Sequence, residues 1–113
     1  MKIVTICYGG NSRSVGMAHV LKYQFGHDVL TCSCQTNSDE TRAMLCQWAD
    51  VVVVTSAEFL PYIRQEFIKK TVVAELGPDR WFLQNYIPQD LLDTCNYLWT
   101  QIMAGWEGPL PGA

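Results

Sequence analysis

The sequence predicts a single α/β domain, built as a three-layer sandwich with a four-stranded parallel sheet between two layers of helices. The first observation behind this class is that short β-branched segments alternate with amphipathic helical segments four times along the chain. The second is that the strand-like segments at 3–6 and 50–55 are apolar throughout their centres, without polar–apolar alternation. Strands covered on both faces have this pattern, and strand–helix–strand units form parallel sheets with right-handed crossovers.

The composition fits one globular domain and argues against several classes of protein. The chain has 113 residues, of which 49% are hydrophobic and 17% are charged, so there is enough apolar material for a core. The net charge of -3 argues against a surface for nucleic acid or anionic membrane. We find no apolar run of about 18 residues and no secretory signal. With an odd number of cysteines, five, we expect a cytoplasmic protein with reduced thiols.

Local signals place the individual elements and their ends. Ser38 is a suitable N-cap before two acidic residues, and Gly26 is placed to end the first helix. Pro61 interrupts the third helical segment, so we expect that helix to begin near it, and Pro88 suits the first turn of the last helix. The predicted strands lie at 3–6, 28–31, 50–55 and 71–76, and the predicted helices at about 15–25, 38–48, 58–69 and 88–104. We expect the domain to span 1–104 and the Gly- and Pro-rich segment 105–113 to form a tail.

The function is expected to be organised around the segment from Lys2 to His19, KIVTICYGGNSRSVGMAH. It runs from a strand through a glycine-containing loop into a helix start. Backbone N–H groups of such a loop and helix start form a cradle for an anion. In parallel sheets, ligands bind at the carboxyl ends of the strands. We therefore expect Cys7, Thr55 and the loop at 77–81 to lie on one rim.

Cys7 and Arg13 are the candidate chemical groups of this cradle. A cysteine among apolar residues is more often structural, but a thiol below backbone N–H groups and beside a guanidinium is expected to have a lowered pKa and to act as a nucleophile. Arg13 and the loop amides would stabilise charge on a transferring phosphoryl group, and the Ser14 hydroxyl is placed to hydrogen-bond the sulfur. The predicted substrate-binding residues of the loop are Tyr8, Gly9, Gly10, Asn11 and Ser12.

Asp79 is the best candidate for the proton donor that such a reaction needs. It follows the fourth predicted strand on the expected rim; the alternative is that it only caps a turn. Asp50 enters a strand at the opposite edge and Asp90 falls in a helix first turn, so both are weaker candidates. Tyr8 and Trp81 are candidate walls for an aryl phosphate, and burial at a helix–sheet seam is the alternative for both rings.

The segment from Cys7 to Ser14, CYGGNSRS, directly after an N-terminal strand, resembles the phosphate loop of the low-molecular-weight protein tyrosine phosphatases. The chain length and the segment LGPDRWFLQNYIPQDLL at 76–92 resemble a short bacterial and phage branch of that family. The resemblance implies a sheet of order 2-1-3-4, a phosphocysteine intermediate and no metal or cofactor. It implies Cys7 as nucleophile, Arg13 as transition-state clamp, Ser14 as thiolate stabiliser and Asp79 as acid and base. The implied partners are phosphorylated proteins, small phosphomonoesters and inorganic oxyanions, with no nucleic acid and no membrane.

The loop departs from the usual pattern of that family at several positions. Gly10 stands where an asparagine side chain usually props the loop, and Ser12 stands where many members have a second, protective cysteine. Val15 replaces the usual proline after Arg-Ser, and Arg80 follows Asp79 where the longer enzymes have proline. These differences leave open a phosphate-binding module without turnover, a pseudophosphatase.

Two further functions on this fold remain open at this point. Cys32 and Cys34 could serve as relay thiols of an arsenate reductase, although the relay pair of that group falls later in the chain. Their spacing does not suit structural zinc. A phosphocarrier similar to the cysteine-phosphorylated subunits of sugar transport systems shares the strand–Cys–loop opening. Arg13 counts against a carrier, since a carrier does not need to accelerate hydrolysis.

Overall fold

The computed structural model of this chain describes residues 1–9, 12–81 and 86–106. Within them, four strands form one parallel sheet of order β2-β1-β3-β4, which confirms the predicted fold class and strand order. The strands are β1 (Lys2–Cys7), β2 (Asp28–Ser33), β3 (Val51–Val54) and β4 (Thr71–Val73). The α-helices are α1 (Arg13–Tyr23), α2 (Asp39–Trp48) and α3 (Gln89–Ala104).

β3 is buried on both faces of the sheet. Its four valines are all fully buried, and successive side chains of a strand point to opposite faces. Val51 and Val53 pack into the cluster under α1 and α3, whereas Val52 and Val54 pack into the cluster under α2 and the residues that follow β3. The uninterrupted apolar sequence of this strand is therefore explained by two cores, one on each side of the sheet.

The prediction of a third α-helix at 58–69 is wrong. Two short 3₁₀ helices, Ala57–Tyr62 and Gln65–Lys70, lie there instead. Pro61 lies inside the first and has no N–H to donate to an α-helical ladder. Arg64, between the two, has an extended backbone with ψ of 145°, which interrupts any continuous helix. Hydrophobic spacing alone did not detect this break.

The predicted element ends are mostly correct. The Ser38 side chain accepts the Thr41 N–H at 3.1 Å, as an N-cap does. Gly26 has a positive φ of 75° and donates its N–H to the Lys22 carbonyl at 3.1 Å, which closes α1 in the manner that glycine permits. Pro88 is the N-cap of α3 rather than a residue of its first turn.

Several boundaries differ from the prediction or lie beyond what is described. β2 extends to Ser33 instead of 31, and α1 ends at Tyr23 instead of 25. β4 ends at Val73 instead of 76, although the Ala74 N–H still bonds the Val54 carbonyl and the Leu76 N–H still bonds the Thr55 carbonyl, both at 2.9 Å. α3 ends at Ala104, and residues 107–113 of the predicted tail lie outside the described part of the chain. Of the helices described, none has both the length and the apolar character needed to cross a bilayer.

Candidate active site

Cys7 and Arg13 flank the loop at the carboxyl edge of the sheet. Cys7 is the last residue of β1 and Arg13 is the first residue of α1. β1 lies between β2 and β3, so the loop leaves the sheet where the chain connections diverge, the place where open α/β sheets bind ligands. Gly10 and Asn11, two of the predicted anion-binding residues, lie outside the described residues.

Cys7 is buried below this loop, next to a hydroxyl group. Its side chain is about 1% exposed, and its Sγ lies 3.1 Å from Ser14 Oγ, within hydrogen-bonding distance. The Ser14 backbone is held in turn, because Thr5 Oγ1 donates to the Ser14 carbonyl at 2.7 Å. The predicted contact between the sulfur and Ser14 is therefore present, on the first turn of α1.

The Arg13 guanidinium is fixed beside the loop but is not saturated with partners. It is only 5% exposed, donates from Nη1 to the Gly77 carbonyl at 2.7 Å, and lies 5.1 Å above the centre of the Phe59 ring. Its Nε is buried and has no hydrogen-bond partner among the described residues. An unmet buried donor costs about 1–3 kcal/mol, and an oxyanion is the kind of acceptor that would satisfy it.

Asp79 reaches the same loop from 67 positions away in the sequence. Its Oδ2 accepts a hydrogen bond from the Ser12 hydroxyl, and Ser12 directly precedes Arg13. Its Oδ1 accepts the Trp81 N–H at 3.0 Å, so Asp79 also caps a turn. The structure thus brings together the four residues that the sequence singled out as catalytic: Cys7, Arg13, Ser14 and Asp79.

The two weaker candidates for the proton donor, Asp50 and Asp90, form hydrogen bonds away from the loop. Asp50 accepts the Lys2 N–H at 2.9 Å, at the amino edge of the sheet. Asp90 accepts the Trp81 indole N–H at 3.1 Å. Neither carboxylate is held against the loop between Cys7 and Arg13 as Asp79 is.

The two aromatic candidates differ in exposure. Tyr8 is 48% exposed, as an aromatic wall on the rim would be. Trp81 is buried in the core cluster under α1 and α3, and its indole N–H is occupied by Asp90. The structure therefore favours the alternative given for Trp81, a ring buried at a helix–sheet seam whose backbone N–H holds Asp79.

Glu75 is a residue of the site that sequence reasoning missed. Its carboxylate accepts the Ala57 N–H at 3.0 Å, the Gly77 N–H at 3.1 Å and the Ser56 hydroxyl at 3.3 Å. The pKa of Glu75 lies below its usual value because of the Ala57 N–H bond first, then those from Gly77 and Ser56 and the nearby Arg13 charge. Glu75 thereby ties together the loops after β3 and β4. A lone charged residue within the predicted strand TVVAEL was the available signal.

The other cysteines near β2 are protonated thiols in a buried setting. Burial raises the pKa of Cys32 and of Cys34 to about 11, although the charge of Arg42 lowers both. Such thiols are poor nucleophiles, which counts against a relay role. Within the described residues, no three His, Cys, Asp or Glu side chains converge to hold a metal ion.

Comparison with solved structures finds the same fold in several phosphatases. The tyrosine phosphatase AmsI of Erwinia amylovora superposes with a TM-score of 0.65 at 12% identity, covering 89% of this chain and 91% of that one. Wzb of Vibrio vulnificus, in complex with benzylphosphonate, gives 0.58 at 14% identity, with 93% and 95% covered. A mutant of the YwlE arginine phosphatase with a phosphorylated active-site serine gives 0.52 at 14% identity, with 93% and 97% covered.

This chain therefore has the fold of the low-molecular-weight tyrosine phosphatases. At these levels of identity, the likeness establishes the architecture and leaves the activity to be argued from the site. No family model matches the sequence, and comparison with the curated proteins finds no match either.

Proposed function

We propose that this chain is a cysteine-dependent phosphatase that hydrolyses phosphotyrosine or a related phosphomonoester through a phosphocysteine intermediate. The observation that carries the proposal is the contact between the Asp79 carboxylate and Ser12. It brings a proton-transferring group to the loop that joins a cysteine to a buried arginine with an unpartnered N–H. A nucleophile, an anion clamp and an acid are the parts that phosphoryl transfer to sulfur requires.

In the first step, the Cys7 thiolate attacks the phosphorus atom of the bound monoester. The S–P bond forms while the bond from phosphorus to the leaving oxygen breaks, and protonated Asp79 gives its proton to that oxygen. Arg13 and the backbone N–H groups of the loop hold the three equatorial oxygens, on which charge is spread in the transition state. The alcohol or phenol then leaves, and phosphocysteine remains.

In the second step, a water molecule attacks the phosphorus atom of the phosphocysteine. Asp79, now a carboxylate, takes a proton from that water, and the P–S bond breaks. The Ser14 hydroxyl, 3.1 Å from the sulfur, donates a hydrogen bond to the departing thiolate and so makes it a better leaving group. Inorganic phosphate leaves, and the enzyme returns to its starting state.

The structural neighbours support the substrate class without deciding its members. Wzb was crystallised with benzylphosphonate, AmsI is described as a tyrosine phosphatase and YwlE as an arginine phosphatase. The half-exposed ring of Tyr8 on the rim is suited to an aryl group. We propose a cytoplasmic location, in keeping with five free cysteines.

The proposal is tested by release of phosphate from para-nitrophenyl phosphate and phosphotyrosine at mildly acid pH. We expect Cys7→Ala to reduce kcat/KM by about 1,000-fold or more, because the nucleophile is lost. Cys95→Ala makes the same chemical change at a buried cysteine of α3 and should leave kcat/KM within about twofold, as a substitution remote from the reacting atoms. Equal activity of wild type and Cys7→Ala would contradict the proposal.

A binding module without turnover is the second candidate, and the 1% exposure of Cys7 is the observation that favours it. Tight binding of phosphate or vanadate together with no hydrolysis of any aryl phosphate would select it. The same assay with phosphoarginine compares the two substrate types found among the structural neighbours. A phosphocysteine that resists water but passes its phosphate to an acceptor would instead identify a phosphocarrier.

A further inference from the structure

We infer that Ser33 is a positioning residue of the phosphate loop, which aims a backbone N–H group at the bound oxyanion. Ser33 is the last residue of β2 and the Cα partner of Cys7 across the sheet. It is buried, although it lies 26 positions after Cys7 in the sequence. The inference rests on the proposed function, because it concerns how the same loop holds a phosphoryl group.

The turn after β2 holds the first two carbonyl groups of the loop. The Ser33 hydroxyl donates to the Tyr8 carbonyl at 2.8 Å, and the Gln35 N–H donates to the same oxygen at 2.9 Å. One residue earlier in the loop, the Cys34 N–H donates to the Cys7 carbonyl at 3.0 Å. Both carbonyl groups are thereby directed toward β2.

The direction of these carbonyl groups decides the direction of two N–H groups. In a trans peptide, the C=O and the following N–H point to opposite sides of the chain, and no cis peptide occurs among the described residues. Holding the Cys7 carbonyl toward β2 turns the Tyr8 N–H away from it, and holding the Tyr8 carbonyl does the same for the Gly9 N–H. Inward-pointing amides of this kind are what an anion cradle needs.

The proton of the Ser33 hydroxyl has a single available direction. A serine hydroxyl has one donor and two acceptor positions. The Thr36 N–H donates to Ser33 Oγ at 2.9 Å, and the Gln35 N–H, shared with the Tyr8 carbonyl, donates to it at 3.0 Å, so both acceptor positions are occupied. The remaining hydroxyl proton points to the Tyr8 carbonyl, and the contact is therefore a directed bond and not an incidental one.

The turn that carries Ser33 is itself held by a buried charge. Arg42 Nη1 donates to the Asn37 carbonyl at 2.6 Å and to the Cys34 carbonyl at 3.3 Å. The Asn37 side chain accepts the Ser33 N–H at 2.7 Å. Ser33 is thus itself held in place by hydrogen bonds. A residue must be fixed in this way if it is to orient a neighbouring loop within tenths of an ångström.

The experiment compares Ser33→Ala with Ser33→Thr, which keeps a hydroxyl group. We expect Ser33→Ala to weaken inhibition by vanadate and to lower kcat/KM for para-nitrophenyl phosphate, each by about 10-fold or more, and Ser33→Thr to recover part of the loss. Thr71→Val removes a hydroxyl-to-carbonyl bond of the same 2.8 Å length at the start of β4. It serves as the matched control and should lower stability without changing vanadate affinity.

A measurement on the wild-type protein keeps the inference testable even if Ser33→Ala does not fold. On titration with inorganic phosphate, we expect the NMR signals of the Gly9 and Tyr8 amide protons to shift more than those of residues outside the loop. Unshifted signals, or vanadate affinity unchanged in Ser33→Ala, would overturn the inference. If wild-type protein binds vanadate more tightly than Ser33→Ala does but hydrolyses no aryl phosphate, the inference is supported and only the phosphatase proposal is contradicted.

Discussion

Cys7 and Cys95 lie in two regions that are almost equally buried, yet their surroundings differ in polarity. Cys95 is 0% exposed among apolar side chains under α1 and α3, and burial raises its pKa to about 12. Cys7 is 1% exposed, but a hydroxyl group lies 3.1 Å from its sulfur and α1 begins with a guanidinium beside it. Burial by itself makes a thiol inert; polar groups delivered by the loops at the carboxyl edge are what distinguish a site.

The largest expected effect that would test this contrast is loss of the acid beside Cys7. We expect Asp79→Asn to lower kcat/KM by about 100-fold or more for phenyl phosphate, because kcat/KM reports the first step, in which the leaving oxygen then receives no proton. The loss should be much smaller for para-nitrophenyl phosphate, whose leaving group is stable as an anion. Steady-state kinetics with both substrates measures the difference.

Asp90→Asn is the matched control for this variant. Its amide oxygen can still accept the Trp81 indole N–H, so activity should stay near the wild-type level. If Asp79→Asn lowers kcat/KM equally for both substrates, Asp79 gives no proton to the leaving oxygen, and its assignment as the general acid is wrong.

The next largest effect is expected in the rates at which the thiols of Cys7 and Cys95 react with an alkylating reagent. We expect iodoacetamide at neutral pH to modify Cys7 at least about 10-fold faster than Cys95, because a thiol with a raised pKa holds little thiolate. Inorganic phosphate should protect Cys7 and leave the other rates unchanged. Peptide mapping by mass spectrometry follows each site, and faster labelling of Cys95 in the native protein would reverse the contrast drawn above.

The region around Cys95 should instead be sensitive to packing. A Cβ atom at Gly16 of α1 would lie 2.6 Å from Leu91 Cδ2, and Leu91 is buried in the same cluster as Cys95. We expect Gly16→Ala to destabilise the fold by about 1–3 kcal/mol through overpacking, measured by urea unfolding.

The same Gly16→Ala substitution in the Leu91→Ala variant tests whether contact with Leu91 causes the loss of stability. In Leu91→Ala, the space beside Gly16 is vacated, so adding Gly16→Ala should be neutral or stabilising, since alanine favours the helix over glycine by about 1 kcal/mol. An equal cost in both backgrounds would show that contact with Leu91 is not the cause.

The smallest expected effect concerns the carboxylate that joins the loops on the rim. The pKa of Glu75 is lowered from its usual 4.5 in the folded protein. Its stabilising contribution is therefore present above about pH 4.5 and is lost as the pH falls through the lowered value. We expect Glu75→Gln to be less stable than wild type by about 1 kcal/mol at pH 7, a value that allows for solvent exposure.

The pH dependence is the specific test of that carboxylate. The difference in free energy of unfolding between wild type and Glu75→Gln should shrink as the pH falls below about 4.5, because the wild-type carboxyl group becomes protonated as the pH passes through its lowered pKa. A difference that stays constant throughout the acid titration would mean that side-chain shape, and not charge, supports the rim.

Local patterns were sufficient for the elements that depend on near neighbours. The four valines of β3, the Ser38 cap and the Gly26 helix end were predicted correctly, because each depends on residues within a few positions. Cys7 and Arg13 lie at the end of β1 and the start of α1, so their closeness also follows from a short stretch of sequence. The break between the two 3₁₀ helices was not predicted. The hydrophobic residues at 58–69 have helical spacing despite Pro61, so the pattern indicated one helix.

By itself, then, the sequence determined the alternation of strands and helices, the burial of β3 on both faces of the sheet and the loop between Cys7 and Arg13. Tertiary structure alone decided that Glu75 joins the loops after β3 and β4 and that Ser33 bonds the Tyr8 carbonyl. It also decided that Trp81 is buried and that Asp79 reaches Ser12. The physical reason is separation along the sequence, because these contacts join residues up to 67 positions apart. Their geometry depends on how layers pack and where strands end, which no local pattern of side chains encodes.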